Sequence, residues 1–133
     1  MTAQPQVVAK DCVLVVDDEE DILATLTELV EMAGCSAIVA KNGAEALKLL
    51  RERQPCLIIL DLLMPVMSGN ELLAILASEP ELSKVPVLIS TSAPARAPAG
   101  MPVATKPIDI NFVWDWMRRT CTCSPRDDFS NAQ

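Results

Sequence analysis

Histidine and tyrosine are missing from the 133 residues altogether, and only two Phe and two Trp are present. Without histidine, the Cys121-Thr122-Cys123 pair has no imidazole to complete a zinc set, and no third cysteine lies near it in sequence. A zinc site is therefore not expected there. Basic runs are equally scarce. The eleven Lys and Arg are scattered, with no run longer than Arg118-Arg119, and the net charge is -7 with a pI near 4.5. That balance argues against a direct nucleic-acid surface, which needs clustered basic residues. No apolar run approaches the roughly 18 residues of a membrane span. Met1 to Lys10 carries no apolar core of signal-peptide length. The expected setting is cytoplasmic, with no membrane partner. The cysteines are odd in number, and Cys12, Cys35 and Cys56 sit inside or beside apolar segments. They are expected to be buried free thiols in a reducing compartment and not a disulfide framework.

What is present is apolar and strongly patterned. Half the residues are hydrophobic and 22% are charged, enough for one packed domain and against disorder. Cys12 to Val16 is an apolar, β-branched run that ends in Asp17-Asp18, the pattern of a strand buried on both faces. From Glu20 the period changes. Ile22, Leu23, Leu26, Leu29, Val30 and Ala33 recur at helical spacing until Gly34. Ser36 to Ala40 reads as a second strand, and Asn42-Gly43 opens a second helix that closes before Pro55. Cys56 to Leu60 is a third apolar strand, again ending in an acid, Asp61. After a loop with Pro65, Ser68-Gly69-Asn70-Glu71 has the capping-box spacing that starts a third helix. Val85 to Ser90 reads as a fourth strand ending at Thr91, and a short fifth is expected near Pro102 to Thr105. The last helix begins around Asp109, with Phe112, Val113, Trp116 and Met117 on one face and Arg118 and Arg119 suited to its C-terminal dipole. The expected division is an N-terminal extension over 1–10, a domain over 11–120 and a flexible tail over 121–133.

Strands alternating with helices imply parallel strands joined by right-handed crossovers. Ligands of such open sheets sit outside the carboxyl ends of the strands. Asp17, Asp18, Asp61 and Thr91 should therefore converge, although 44 residues separate Asp17 from Asp61 and 30 separate Asp61 from Thr91. Crowded carboxylates repel one another, and a hard divalent cation removes that cost. Oxygen donors without Cys or His favour Mg2+, Mn2+ or Ca2+. Mg2+ beside phosphate oxygens suits phosphoryl transfer, and a carboxylate can itself be the nucleophile. Each acid taken alone also has a bland reading. Asp17 and Asp18 can simply cap the first helix, and Thr91 can bond its own backbone.

The segments Val13-Leu14-Val15-Val16-Asp17-Asp18-Glu19, Leu57 to Gly69, Pro86 to Thr91 and Lys106-Pro107, in this order and spacing, resemble the receiver domain of response regulators. The resemblance runs from about Cys12 to Thr120. It implies an α/β flavodoxin-like three-layer sandwich whose five-stranded parallel sheet has the order 2-1-3-4-5. It implies Asp61 as phosphoacceptor, with Mg2+ (or Mn2+) held by Asp18, Asp61 and the backbone carbonyl of Leu63, and through water by Asp17. Lys106 would pair with Asp61 and then with the phosphoryl group, Thr91 would hydrogen-bond that group, and the Lys106-Pro107 bond would be cis. The implied partners are a sensor histidine kinase or phosphotransfer protein and a downstream protein target, with a homodimer left open. Leu63 is apolar and cannot orient an attacking water, which implies slow self-dephosphorylation.

Two departures stand out. Only 14 residues separate Thr91 from Lys106, and they include Pro94, Pro98, Gly100 and Pro102. A three-turn helix needs about 11 residues, and interior prolines break it, so the family's fourth helix is expected to be missing or shortened to a turn. The family's aromatic switch position, three before the lysine, is Val103 here. Trp114 lies off the apolar stripe of the last helix, as rim packing or as a partner contact. Competing functions are a receiver module of a longer response regulator or hybrid kinase, a degenerate module that works without phosphate, and a Mg2+-dependent phosphohydrolase. The last usually needs a second acid at position 63, where this chain has Leu63.

Overall fold

The computed structural model describes residues 12–121. The expected extension over 1–10 and the expected tail beyond residue 121 lie outside the described residues. Strands β1 (Cys12–Val16), β2 (Ser36–Ala40), β3 (Leu57–Leu60), β4 (Val87–Thr91) and β5 (Val103–Thr105) form one parallel sheet in the order β2-β1-β3-β4-β5. Helices α1 (Glu20–Met32), α2 (Gly43–Glu52), α3 (Gly69–Ser78) and α4 (Ile110–Thr120) cover it.

Both faces of the sheet are buried, and the strand pleat divides the core in two. Val13 and Val15 of β1, with Leu57 and Ile59 of β3, face one way. They pack against Leu23, Leu26 and Val30 of α1 and Val113 and Met117 of α4. Leu14, Val16, Ile58 and Leu60 face the other way, against Ala46 and Leu50 of α2 and Leu72 and Leu76 of α3. The period-2 alternation of side chains therefore turns a continuous apolar run into two half-cores.

Helix starts follow local chemistry. Asn42 accepts from the Glu45 N–H at 2.9 Å, Asp109 accepts from the Phe112 N–H at 3.2 Å, and Ser68 and Glu71 close a reciprocal capping box. Helix α1 differs. Its cap is Glu19, which makes no side-chain capping bond, so Asp17 and Asp18 are not serving as its N-cap. Gly34, at φ 92°, supplies the left-handed turn after α1.

Between β4 and β5 the helix expected to be missing or shortened is a single 3-10 turn, Pro94–Arg96. A second such turn, Leu82–Lys84, precedes β4 and was not anticipated from periodicity. The Asn70 side chain donates to the Arg96 carbonyl at 3.0 Å, tying the short crossover to α3. Trp114 is half-buried against the first half-core, with the Arg118 guanidinium 5.8 Å from its ring centre. That is rim packing with a cation over the ring face.

The cysteines need a correction. Cys12, Cys35 and Cys56 are buried as expected, and Cys121, expected to begin the flexible tail, is buried with them, but Cys35 is disulfide-bonded, not a thiol. Its Sγ lies within 4.8 Å of those of Cys56 and Cys121. Distance along the chain hides this third cysteine from the local Cys121-Thr122-Cys123 spacing.

Candidate functional site

The strand register builds the site. Val16 pairs with Leu60 in the β1–β3 ladder, so the next residues, Asp17 and Asp61, leave the sheet side by side. Backbone bonds hold them there: the Asp17 N–H donates to the Ala40 carbonyl at 3.1 Å and the Asp61 N–H to the Val16 carbonyl at 2.9 Å. Thr91 pairs with Thr105 in the β4–β5 ladder, which brings Lys106 to the same edge, where its N–H donates to the Thr91 carbonyl at 2.9 Å. The Lys106-Pro107 bond is cis, as expected. Gly69 lets α3 approach this edge. A Cβ there would strike the Asp61 carbonyl oxygen and come within 2.8 Å of Leu62 Cα, both backbone atoms that cannot swing away.

Carboxylate oxygens of Asp17, Asp18 and Asp61 lie within 4.8 Å of one another. Asp17 and Asp61 are buried, at 1% and 4% exposure, whereas Asp18 is exposed. The Lys106 ammonium is 2.7 Å from Asp17 Oδ2, 3.5 Å from Asp61 Oδ2 and 3.6 Å from Glu19 Oε1. The lysine reaches Asp61, but its short contact is with Asp17. Glu19, which was not singled out in the sequence, is its third carboxylate neighbour. The Asp17 carboxylate also accepts from the Glu19 N–H at 2.9 Å, and Asp61 accepts from the Leu63 N–H at 3.3 Å.

Burial pushes the Asp61 carboxyl above the ordinary aspartate range, and the negative charge of Asp17 adds to it. Burial raises Asp17 too, more than the Lys106 hydrogen bond lowers it. For Lys106, burial acts downward, but the hydrogen bond and charge of Asp17, with the charges of Asp61 and Glu19, together outweigh it and leave the ammonium raised. One ammonium therefore does not fully offset two buried carboxylates. The residual cost, with an all-oxygen donor set, fits a hard divalent cation and no soft one. Asp17, Asp18 and Asp61 are the side chains that could hold it.

Thr91 is fully buried, and its hydroxyl accepts from the Ala93 N–H at 3.0 Å. Its side chain is thus engaged with its own turn. The neighbouring Ser92 lines the open pocket together with Asp18, Glu19, Asp61, Leu63 and Lys106. Val103 is half-buried against the α2–α3 half-core.

A parallel sheet with helices on both faces, and with three acids and one lysine at the carboxyl ends of its strands, belongs to the open α/β class whose ligands bind at that edge. Comparison with known proteins narrows this. Residues 13–103 match the family model described as the response regulator receiver domain. The chain belongs to that family. Among curated relatives, the polar-differentiation response regulator DivK of Brucella anthropi is 38% identical over 80 residues, covering 60% of this chain and 65% of that protein. DivK of Brucella ovis is 36% identical over the same length. The match thus spans slightly less than two thirds of these relatives. Among solved structures, the receiver domain of a histidine kinase from Syntrophus aciditrophicus superposes with a TM-score of 0.73 at 28% identity, covering 82% of this chain and 88% of that one. The chemotaxis response regulator CheY4 of Vibrio cholerae gives 0.74 at 25% identity, covering 85% and 98%. Among the described residues no helix is long and apolar enough to cross a membrane.

Proposed function

We propose that this receiver domain accepts a phosphoryl group on Asp61 from a histidine kinase or phosphotransfer protein, and signals by changing a protein-binding surface. The supporting observation is the meeting of three carboxylates within 4.8 Å with an ammonium 3.5 Å from Asp61. An Asp61 oxygen attacks phosphorus, the P–N bond of the donor phosphohistidine breaks, and the imidazole leaves with its electron pair. Mg2+ held by Asp18, Asp61 and the Leu63 carbonyl, and through water by Asp17, would supply charge neutralisation at the phosphoryl oxygens. Lys106 offers a second positive charge to the same oxygens once Asp61 is esterified. Leu63, 41% exposed, places an apolar side chain beside Asp61 and leaves water unoriented, which favours a long-lived phosphoryl group.

The moving part is the segment from Thr91 to Lys106. The Thr91 hydroxyl can serve the phosphoryl group only by giving up the Ala93 N–H. The turn that follows is held to α3 by the Asn70–Arg96 bond, so release of Thr91 loosens a crossover already reduced to one 3-10 turn. Output through this segment does not require an aromatic at Val103.

Intact-mass measurement after incubation with Mg2+ and acetyl phosphate tests the assignment. The expected result is a gain of one phosphoryl group, lost in Asp61→Asn and in the absence of divalent metal. A wild-type chain that stays unmodified, or an Asp61→Asn chain modified equally well, would overturn it and leave the phosphate-independent module as the better reading.

A further inference from the structure

The sheet has a second end, and its chemistry is sulfur. Cys12 opens β1, Cys35 precedes β2, Cys56 precedes β3, and Cys121 follows α4. The parallel register lines up the first three. Cys12 pairs with Ser36 and Val13 with Leu57, so Cys35, Cys12 and Cys56 stand in a row across the foot of β2-β1-β3. Helix α4 ends over that row. The Cys56 thiol donates to Cys121 Sγ at 2.7 Å and to the Cys12 carbonyl at 3.2 Å. The Sγ atoms of Cys35, Cys56 and Cys121 all lie within 4.8 Å of one another, at exposures of 5%, 8% and 3%.

We propose that, in the reduced chain, Cys35, Cys56 and Cys121 bind one soft divalent ion of the Zn2+ class as thiolates. The donor set is all sulfur, which selects zinc-like ions over the hard cation suited to the acidic end. Three separate chain segments converge on the point, as in sites that staple a small fold. Buried cysteine alone is ordinary core filling, but core filling does not require three sulfurs from different elements to meet. Burial also keeps the thiols from acting as exposed reactive cysteines. Binding balances as three thiols plus one divalent ion giving a tris-thiolate complex and three protons, with a fourth position left to water. The Cys35 disulfide is the metal-free alternative of the same sulfur. It must first take two electrons and two protons from a dithiol or phosphine reductant.

The test uses the full chain, reduced with a phosphine under anaerobic conditions and titrated with Co2+ as a spectroscopic stand-in for zinc. The expected result is one equivalent bound with a thiolate-to-cobalt charge-transfer band, displaced by Zn2+. The band is lost in Cys56→Ser and in Cys121→Ser and kept in Asp18→Asn, which separates this end from the acidic one. Absence of the band in reduced wild-type protein would overturn the proposal, as would its persistence in both serine variants. The wild-type titration decides the matter alone should a variant fail to fold, and it is independent of any phosphorylation of Asp61.

Discussion

The two ends of the sheet collect opposite chemistries by the same device. At the carboxyl ends of the strands, Asp17, Asp18, Asp61 and Lys106 meet around an open pocket. At the amino ends, Cys35, Cys56 and Cys121 meet in a buried cluster. Parallel pairing in fixed register gathers residues far apart in sequence at both ends alike. Solvent is the difference. The acidic end holds carboxylates that burial makes costly to ionise, so it stays open to solvent and to a compensating cation. The sulfur end carries no charge, whether as the Cys35 disulfide or as the protonated thiols of Cys56 and Cys121, so it can be closed over and lie within the core.

The ends also differ in how tightly the backbone is drawn, and that difference can be tested. Gly69→Ala should have the largest effect, because a methyl group would collide with backbone of Asp61 and Leu62. We expect about 2–3 kcal/mol of destabilisation, read as a lower urea midpoint, with loss of phosphoryl uptake. A variant as stable as wild type would show that the acidic end has slack. Asp61→Asn comes next. Folded-state values of Asp17 and Asp61 lie above the ordinary 3.8. Their contribution to stability is therefore fully present below that value and lost as pH rises through the raised range. In chelator, the wild type should weaken across that window. Asp61→Asn should weaken less and be the more stable by about 1 kcal/mol at neutral pH, with Mg2+ closing the gap. Lys106, also raised, contributes below its ordinary 10.5 and loses that contribution as pH climbs through its higher folded value. A wild-type melting temperature indifferent to pH and Mg2+ would contradict the electrostatic account. The smallest effect is expected at Val66. It holds φ 69° in the loop after Asp61, whereas the turn before Cys35 at the other end uses a glycine, Gly34, at φ 92°. About half of the roughly 1–2 kcal/mol of left-handed strain relieved is offset by the roughly 0.5–1 kcal/mol that glycine adds in unfolded-state entropy. Val66→Gly should then shift the urea midpoint only slightly upward. A clear loss would mean that the exposed valine makes contacts worth more than its strain.

Much of this molecule is legible along the chain because its causes are local. The 3.6- and 2-residue periods locate the helices and strands, Asn42, Ser68 with Glu71, and Asp109 mark three helix starts, and the prolines after Thr91 forbid a full helix there. Apolar runs ending in Asp17 and Asp61 point to the end of the sheet where the site lies. Other features depend on which atoms meet across the fold. Lys106 and Asp17 are 89 residues apart, and only side-chain reach after folding decided that the lysine sits closer to Asp17 than to Asp61. The turn of Thr91 toward Ala93 is a rotamer choice made by its buried surroundings. The sulfur cluster was invisible in spacing, since Cys35, Cys56 and Cys121 show no chelate pattern in sequence. Strand register and the landing point of α4 brought them together. Sequence by itself determined the elements and the family. Tertiary structure alone decided the partners, because periodicity is a property of one segment and a contact is a property of two.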